Sequence, residues 1–187
     1  MKLIPTASQT VGPFFHLGLT DRRNLGKIAA DDTPGQHIWL HCRVLDGDGQ
    51  PVPDAMIELW QADSEGHYSH PENPAANGAF RGFGRLPTDE EGTCVFETIR
   101  PGRVPASDGR FQAPHINVSV FARGLLKRLA TRIYFAQEPS NEADPILSLV
   151  PTDRRSTLMA RPDPHDSATW RFQVRLRGER ETVFFDV

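Results

Sequence analysis

Apolar and polar residues alternate with a period of two along several stretches of the chain, the pattern of strands with one face buried. Over 37–44, Ile38, Leu40, Cys42 and Val44 fall on one face, and His37, Trp39, His41 and Arg43 on the other. Over 170–177, Trp170, Phe172, Val174 and Leu176 oppose Arg171, Gln173, Arg175 and Arg177. Over 115–121, Ile116, Val118 and Val120 oppose Asn117 and Ser119. Further strands are predicted over 56–61, 93–99 and 131–135, with a short last one over 183–185. Turn signals lie between them: Asp46-Gly-Asp-Gly-Gln-Pro51, Ala62-Asp-Ser-Glu-Gly66, Arg100-Pro-Gly102 and the break at Arg123-Gly124. One short helix is expected over 153–159, with Thr152 as its N-cap. Many alternating strands and few helices predict a mainly β fold, an antiparallel-rich β-sandwich with short helices in the connections.

Composition narrows this picture. A length of 187 residues predicts a single domain over 1–187, large enough to bury a core without disulfides or metal. The 16 prolines and 15 glycines, spread throughout, fit many short elements joined by turns. A net charge of −3 argues against general affinity for nucleic acid or an anionic membrane. The basic clusters at Arg154-Arg155 and from Arg175 to Arg180 read as solvated faces. No apolar run approaches the roughly 20 residues that span a bilayer. The start, Met-Lys-Leu-Ile-Pro-Thr, has no apolar signal segment, so a cytoplasmic location is expected. Cys42 and Cys94 lack ligand spacing and read as reduced, buried thiols.

The stretch Gln112-Ala-Pro-His115-Ile-Asn117 carries the clearest chemistry. Residues i and i+2 of a strand share a face, so His115 and Asn117 project together. Two imidazoles there would begin a transition-metal site, but a neutral amide is a poor replacement for the second. Only two tyrosines occur, Tyr68 and Tyr134, and they lie in separate segments. His37 and His41 share a strand face but stand about 13 Å apart, too far for one metal. His67 and His70 read as surface residues of a turn, and no Gly-x-Ser-x-Gly nucleophile elbow is present.

Four segments together resemble the intradiol ring-cleaving dioxygenases. They are Pro5-Thr-Ala-Ser-Gln-Thr-Val-Gly-Pro-Phe-Phe-His16; Gly49-Gln-Pro-Val-Pro-Asp-Ala-Met-Ile-Glu-Leu-Trp-Gln-Ala62 with Gly66-His-Tyr68; Thr98-Ile-Arg-Pro-Gly102 with Ala113-Pro-His115-Ile-Asn117; and Thr131-Arg132-Ile-Tyr-Phe135 with the ending Gly178 to Asp186. The resemblance runs from Pro5 to Val187 and is closest to members built from two related chains, α and β. It implies a β-sandwich.

In the family's catalytic chains, two tyrosines and two histidines hold Fe(III). Carried over one by one, Tyr68 stands at the first tyrosine position, Val104 at the second, His115 at the first histidine position and Asn117 at the second. Gln112 stands where those chains have an arginine. The resemblance therefore implies an iron-free α chain, with Fe(III) bound by a β subunit. The implied pocket lies at the α–β interface, where protocatechuate is opened by O2 between its hydroxyl-bearing carbons. Arg132 and Phe14 match α-chain positions that face substrate, Arg132 as a guanidinium for the carboxylate. Phe14 stands where a tyrosine is expected and offers an apolar wall. For Arg132 a structural salt bridge is weighed equally with substrate contact; His115 is read first as a hydrogen-bonded remnant and Tyr68 as structural or interfacial. A scaffold chain that adds nothing to the pocket is the alternative, and a self-sufficient enzyme with altered ligands a third reading.

Overall fold

The computed structural model describes residues 4–12, 14–21, 23–69 and 80–186. A short helix, α1 (Phe14–Leu19), precedes the strands β1 (His37–Leu45), β2 (Met56–Gln61), β3 (Phe83–Pro87), β4 (Thr93–Ile99), β5 (Val104–Pro105), β6 (Phe111–Gln112), β7 (His115–Phe121), β8 (Leu129–Phe135), β9 (Met159–Pro162) and β10 (Thr169–Arg175). Eight strands form one sheet in the order β3-β2-β7-β8-β9-β10-β1-β4, and β5 with β6 makes a separate hairpin. His70, read above as a surface histidine, lies outside the described residues, as do Pro13 and Val187 of the matched segments.

The sheet folds over on itself at β9. This strand pairs with β8 at only two positions, Tyr134 with Met159 and Phe135 with Ala160, and with β10 at two more. One leaf (β4-β1-β10) can therefore lie face to face with the other (β3-β2-β7-β8), as in a sandwich. The period-two alternation decides what meets between them. Leu40, Val44, Phe96, Phe172 and Val174 from one leaf join Ile57, Leu59, Ile116, Val118, Ile133 and Phe135 from the other in a single buried core. Cys42 and Cys94 face each other across β1 and β4, both free and both buried.

Arg100 closes the corner beside β9. Its guanidinium lies over the rings of Phe135 and Trp170, at 5.1 and 5.6 Å from their centroids. It also pairs with Glu138 at 2.6 Å. A second, smaller core sits outside the sheet, where Ala113, Tyr134, Leu147, Val150 and Leu158 pack together. The 3-10 turns of 139–158 thus cover one end of β7 and β8, so polar residues on that outer face become buried.

Two expectations need correction. Residues 153–159 do not form an α-helix: Arg155–Leu158 is a 3-10 turn that leads straight into β9. Arg154, not Thr152, stands at the cap position, and it makes no side-chain cap hydrogen bond. With no side-chain acceptor for its first N–H groups, and with Met159 drawn into extended backbone opposite Tyr134, a second turn does not follow. Residues 183–185 contribute one isolated bridge, Phe185 to Ala130, rather than a strand. Side chains intercept the backbone there: Thr131 Oγ1 donates to the Val183 carbonyl, and Thr157 Oγ1 accepts from the Val183 N–H.

Phe135 is fully buried and meets Trp170 edge-on at 5.0 Å. Phe135→Ala is expected to cost about 3–5 kcal/mol in urea denaturation, through lost burial and the cavity left behind. The half-exposed Phe111 on the β6 hairpin serves as comparison, and Phe111→Ala is expected to cost less than about 1 kcal/mol.

Candidate functional site

Two turns dock backbone to backbone and so fix the positions of Tyr68 and Val104. The Asp63 carbonyl accepts hydrogen bonds from the N–H groups of Gly66 (3.2 Å) and Gly102 (2.8 Å). The Asp63 carboxylate accepts from the N–H groups of Glu65 and His67, holding the first turn in shape. No side chain fits at the contact. A Cβ on Gly66, whose φ is +90°, would lie 2.0 Å from the Arg103 carbonyl oxygen, and one on Gly102 would lie 2.4 Å from that of Ser64. Both glycines in the matched segments thus have a steric reason.

Tyr68 then lies against the outer face of β7. Its ring stacks on Trp60 of β2, with centroids 5.8 Å apart and planes 18° from parallel. Asn117 Nδ2 donates to the Tyr68 hydroxyl at 2.9 Å. The hydroxyl in turn meets His115 Nε2 at 3.2 Å, and His115 Nδ1 meets the Ala113 carbonyl at 2.7 Å. A carbonyl can only accept, so Nδ1 carries the proton and Nε2 of the neutral ring is an acceptor. The direction of the chain is settled: Asn117 to Tyr68, Tyr68 to His115, His115 to Ala113. Burial raises the phenol pKa of Tyr68 against the opposing pull of Asn117 and Arg132, which keeps the hydroxyl a donor. Burial first, then the charge of Arg132, hold the His115 pKa down to about 4.

Neighbouring residues complete the cluster. Arg132 of β8 lies directly opposite Asn117, and its Nη1 donates to Gln112 Oε1 at 2.7 Å. Gln112 is itself paired with Val104 across the β5–β6 hairpin. Tyr134, opposite His115, donates its hydroxyl to Asp144 Oδ1 at 3.1 Å, and burial raises its pKa strongly. The fully buried Asp144 carboxylate also accepts from the N–H groups of Ala113, Ile146 and Leu147. It thereby anchors the loop that presents His115. Sequence reasoning missed Asp144, which lies 31 positions from Ala113 and has no local signal. Trp60 was also missed, although its outward-facing position on β2 could have been read from the alternation.

Tyr68, Val104, Gln112, His115, Asn117 and Arg132 are therefore brought together. Phe14 is not. It begins α1, is 80% exposed, and belongs to the turn that packs Phe15 on Phe121 at the far end of β7. Phe121 lies four residues, about 13 Å, along the strand from Asn117.

Comparison with known proteins bears directly on this cluster. Residues 10–178 match the family model described as dioxygenase. The chain is 45% identical to the protocatechuate 3,4-dioxygenase alpha chain of Burkholderia cepacia, over 97% of each chain. This chain belongs to the intradiol ring-cleavage dioxygenase family. It is also 33% identical to the protocatechuate 3,4-dioxygenase beta chain of Burkholderia cepacia, over 79% of this chain and 67% of that one. Among solved structures, the dioxygenase domain of a dioxygenase and carbohydrate-binding protein fusion from Streptomyces sp. SirexAA-E superposes with a TM-score of 0.64, at 26% identity, covering 94% of this chain and 99% of that one.

The residues at the family's ligand positions do not fit a ferric centre. Val104 has no donor atom, Asn117 offers an amide already engaged with Tyr68, and His115 Nε2 already accepts the hydrogen bond of the Tyr68 hydroxyl. Among the described residues, no three or more His, Cys, Asp or Glu side chains are grouped to hold a metal ion. Asn117 Nδ2, the Tyr68 hydroxyl and both His115 nitrogens instead satisfy one another and the Ala113 carbonyl.

The relay has a pH signature. Because the folded-state pKa of His115 is depressed, the unfolded chain takes up this proton first as pH falls. The neutral ring stabilises fully above about pH 6.5, and that stability is lost as pH falls towards about 4, by roughly 3 kcal/mol in all. In urea titrations at pH 7 and pH 4.5, His115→Gln is expected to lose about 2–3 kcal/mol less than the wild type between the two conditions. The same loss in both proteins would show that His115 is not buried neutral.

Proposed function

We propose that the chain is the iron-free α subunit of a protocatechuate 3,4-dioxygenase assembly, folded as a single domain. In this reading Fe(III) is held by a homologous β subunit, and the substrate pocket forms between the two chains. The assembly opens protocatechuate with O2 between its hydroxyl-bearing carbons, giving 3-carboxy-cis,cis-muconate. The observation that carries the reading is the closed relay through Asn117, Tyr68 and His115, in which the donors left at ligand positions bond one another. Near-full-length similarity to an alpha chain, and weaker similarity to a beta chain, support the division of labour.

This chain's contribution is to bind and orient. Arg132 is half-buried beside the relay and held by Gln112 through one nitrogen, a geometry suited to presenting a guanidinium to the substrate carboxylate. The exposed Phe14 adds an apolar surface to the face that meets the partner. The two lie at different places on the face, so the pocket they border is completed by the β subunit. A cytoplasmic location belongs to the same proposal, in keeping with two free cysteines; among the described residues no helix is long and apolar enough to cross a membrane.

Co-expression with a β chain tests the proposal. The chain alone is expected to lack the visible absorption of Fe(III)–tyrosinate, and the complex to show it. In the complex, Arg132→Ala is expected to raise KM for protocatechuate about tenfold or more with a smaller change in kcat, the loss of one charge-assisted pair. Stoichiometric Fe(III) on the chain alone would defeat the proposal, and an unchanged KM would favour a scaffold that adds nothing to the pocket.

A further inference from the structure

The opposite leaf carries a groove of about 540 Å³ that the proposed dioxygenase role does not use. It runs over the outer face of β1, β9 and β10. Its charged lining consists of His41, Arg43, Arg161, Arg171, Arg175 and Arg180, and no aspartate or glutamate is among the lining residues. In a chain of net charge −3 this is a concentrated reversal of sign. Arg175 and Arg180, from the cluster read in the sequence as a solvated face, line one side of it.

The strand register makes the arrangement costly without a counter-charge. Arg171 stands directly opposite Arg161 on one side and His41 on the other. Like charges facing each other across a ladder repel. Asp163 relieves part of this, its Oδ2 accepting from Arg171 Nε and Nη2 at 2.8 and 2.7 Å. Arg43 gives its Nε to the Glu91 carbonyl, a neutral acceptor. Burial, then the charge of Arg171, lower the His41 pKa against the opposing charge of Asp163. Arg180 is held at φ +61° by a turn closed between Glu181 N and the Gly178 carbonyl. A left-handed backbone at a non-glycine residue is uncommon and costs energy. Ser156 also lines the groove, and its hydroxyl adds a neutral donor.

We propose that this groove binds a small polyanion, a molecule carrying two or more carboxylate or phosphate groups. Guanidinium forks match both kinds of oxyanion. The volume falls in the range of small-molecule sites, about 300–1,000 Å³. Arg161 and Arg43 are two strand spacings and two residues along the strand apart, about 12 Å in all, so separated anionic groups fit where a single oxyanion would leave one side uncompensated. The proposal is independent of the α-subunit reading.

Calorimetric titration of the full chain, in the assembly in which it purifies, tests this with citrate, pyrophosphate and inorganic phosphate at matched ionic strength. Citrate or pyrophosphate is expected to bind saturably, about tenfold or more tighter than inorganic phosphate. The tighter of the two names the ligand as a polycarboxylate or a polyphosphate. Arg161→Gln and Arg175→Gln are each expected to weaken binding about tenfold, whereas Arg81→Gln, an equal charge loss outside the groove, leaves it unchanged. Without anion, Arg161→Gln is expected to keep or raise Tm, because it relieves the facing charge. Absence of saturable binding by all three anions, or equal weakening by Arg81→Gln, would overturn the proposal.

Discussion

The four cross-strand pairs made by β9 are the constraint on which the rest of the architecture depends. Two short contacts, one parallel to β8 and one antiparallel to β10, join the leaves into one sheet while leaving them free to face each other. Everything apolar on the inner faces then meets in one core. The 3-10 turns that lead into β9 cover the outer face beside Tyr134, which is why His115 is buried although it points away from that core. The same strand brings Arg161 against Arg171 on the other leaf. Both polar features of the molecule are thus consequences of how one short strand closes the sheet.

The long strands were legible because their alternation is strict and their neighbours are turn formers. β2, β4 and β7 occupy the predicted residues, and β1 and β10 differ only at their ends. β3, β5, β6 and β9 were not legible. Phe83–Pro87 and Met159–Pro162 end in proline and are too short to show a period, and they are strands only because longer neighbours offer unpaired edges. The segment before β9 reads as helix locally and is overruled by pairing. Local propensity decides little where a few residues join two long-range partners.

The site divides in the same way. That His115 and Asn117 share a face follows from the strand period alone, and the missing donors at 104 and 117 from the resemblance. What fills the gap did not follow. Tyr68 reaches His115 across 47 positions, carried there by the docked turns at Gly66 and Gly102. Arg132 was weighed between a salt bridge and a substrate contact, and its bond is to the neutral Gln112. Arg177 and Arg180 of the basic cluster near the C-terminus are exposed, as its composition suggests, but its nearness to Arg43 and Arg161 was not legible because those lie far away in sequence.

These observations change what Asn117 signifies. A buried imidazole and a buried phenol prepared for a metal would be left with unmatched donors and acceptors once the metal was absent, at a cost of about 1–3 kcal/mol for each unsatisfied group. A second histidine at 117 would present one ring nitrogen to Tyr68 and keep the ambiguity of which partner holds the proton. The amide removes it. Its Nδ2 can only donate, so the Tyr68 oxygen accepts, its proton turns to His115 Nε2, and Nδ1 bonds Ala113. Asn117 thus orients its own amide, the Tyr68 hydroxyl and the His115 ring within the chain. Asn117 is better understood as the residue that closes the site than as a ligand that was lost.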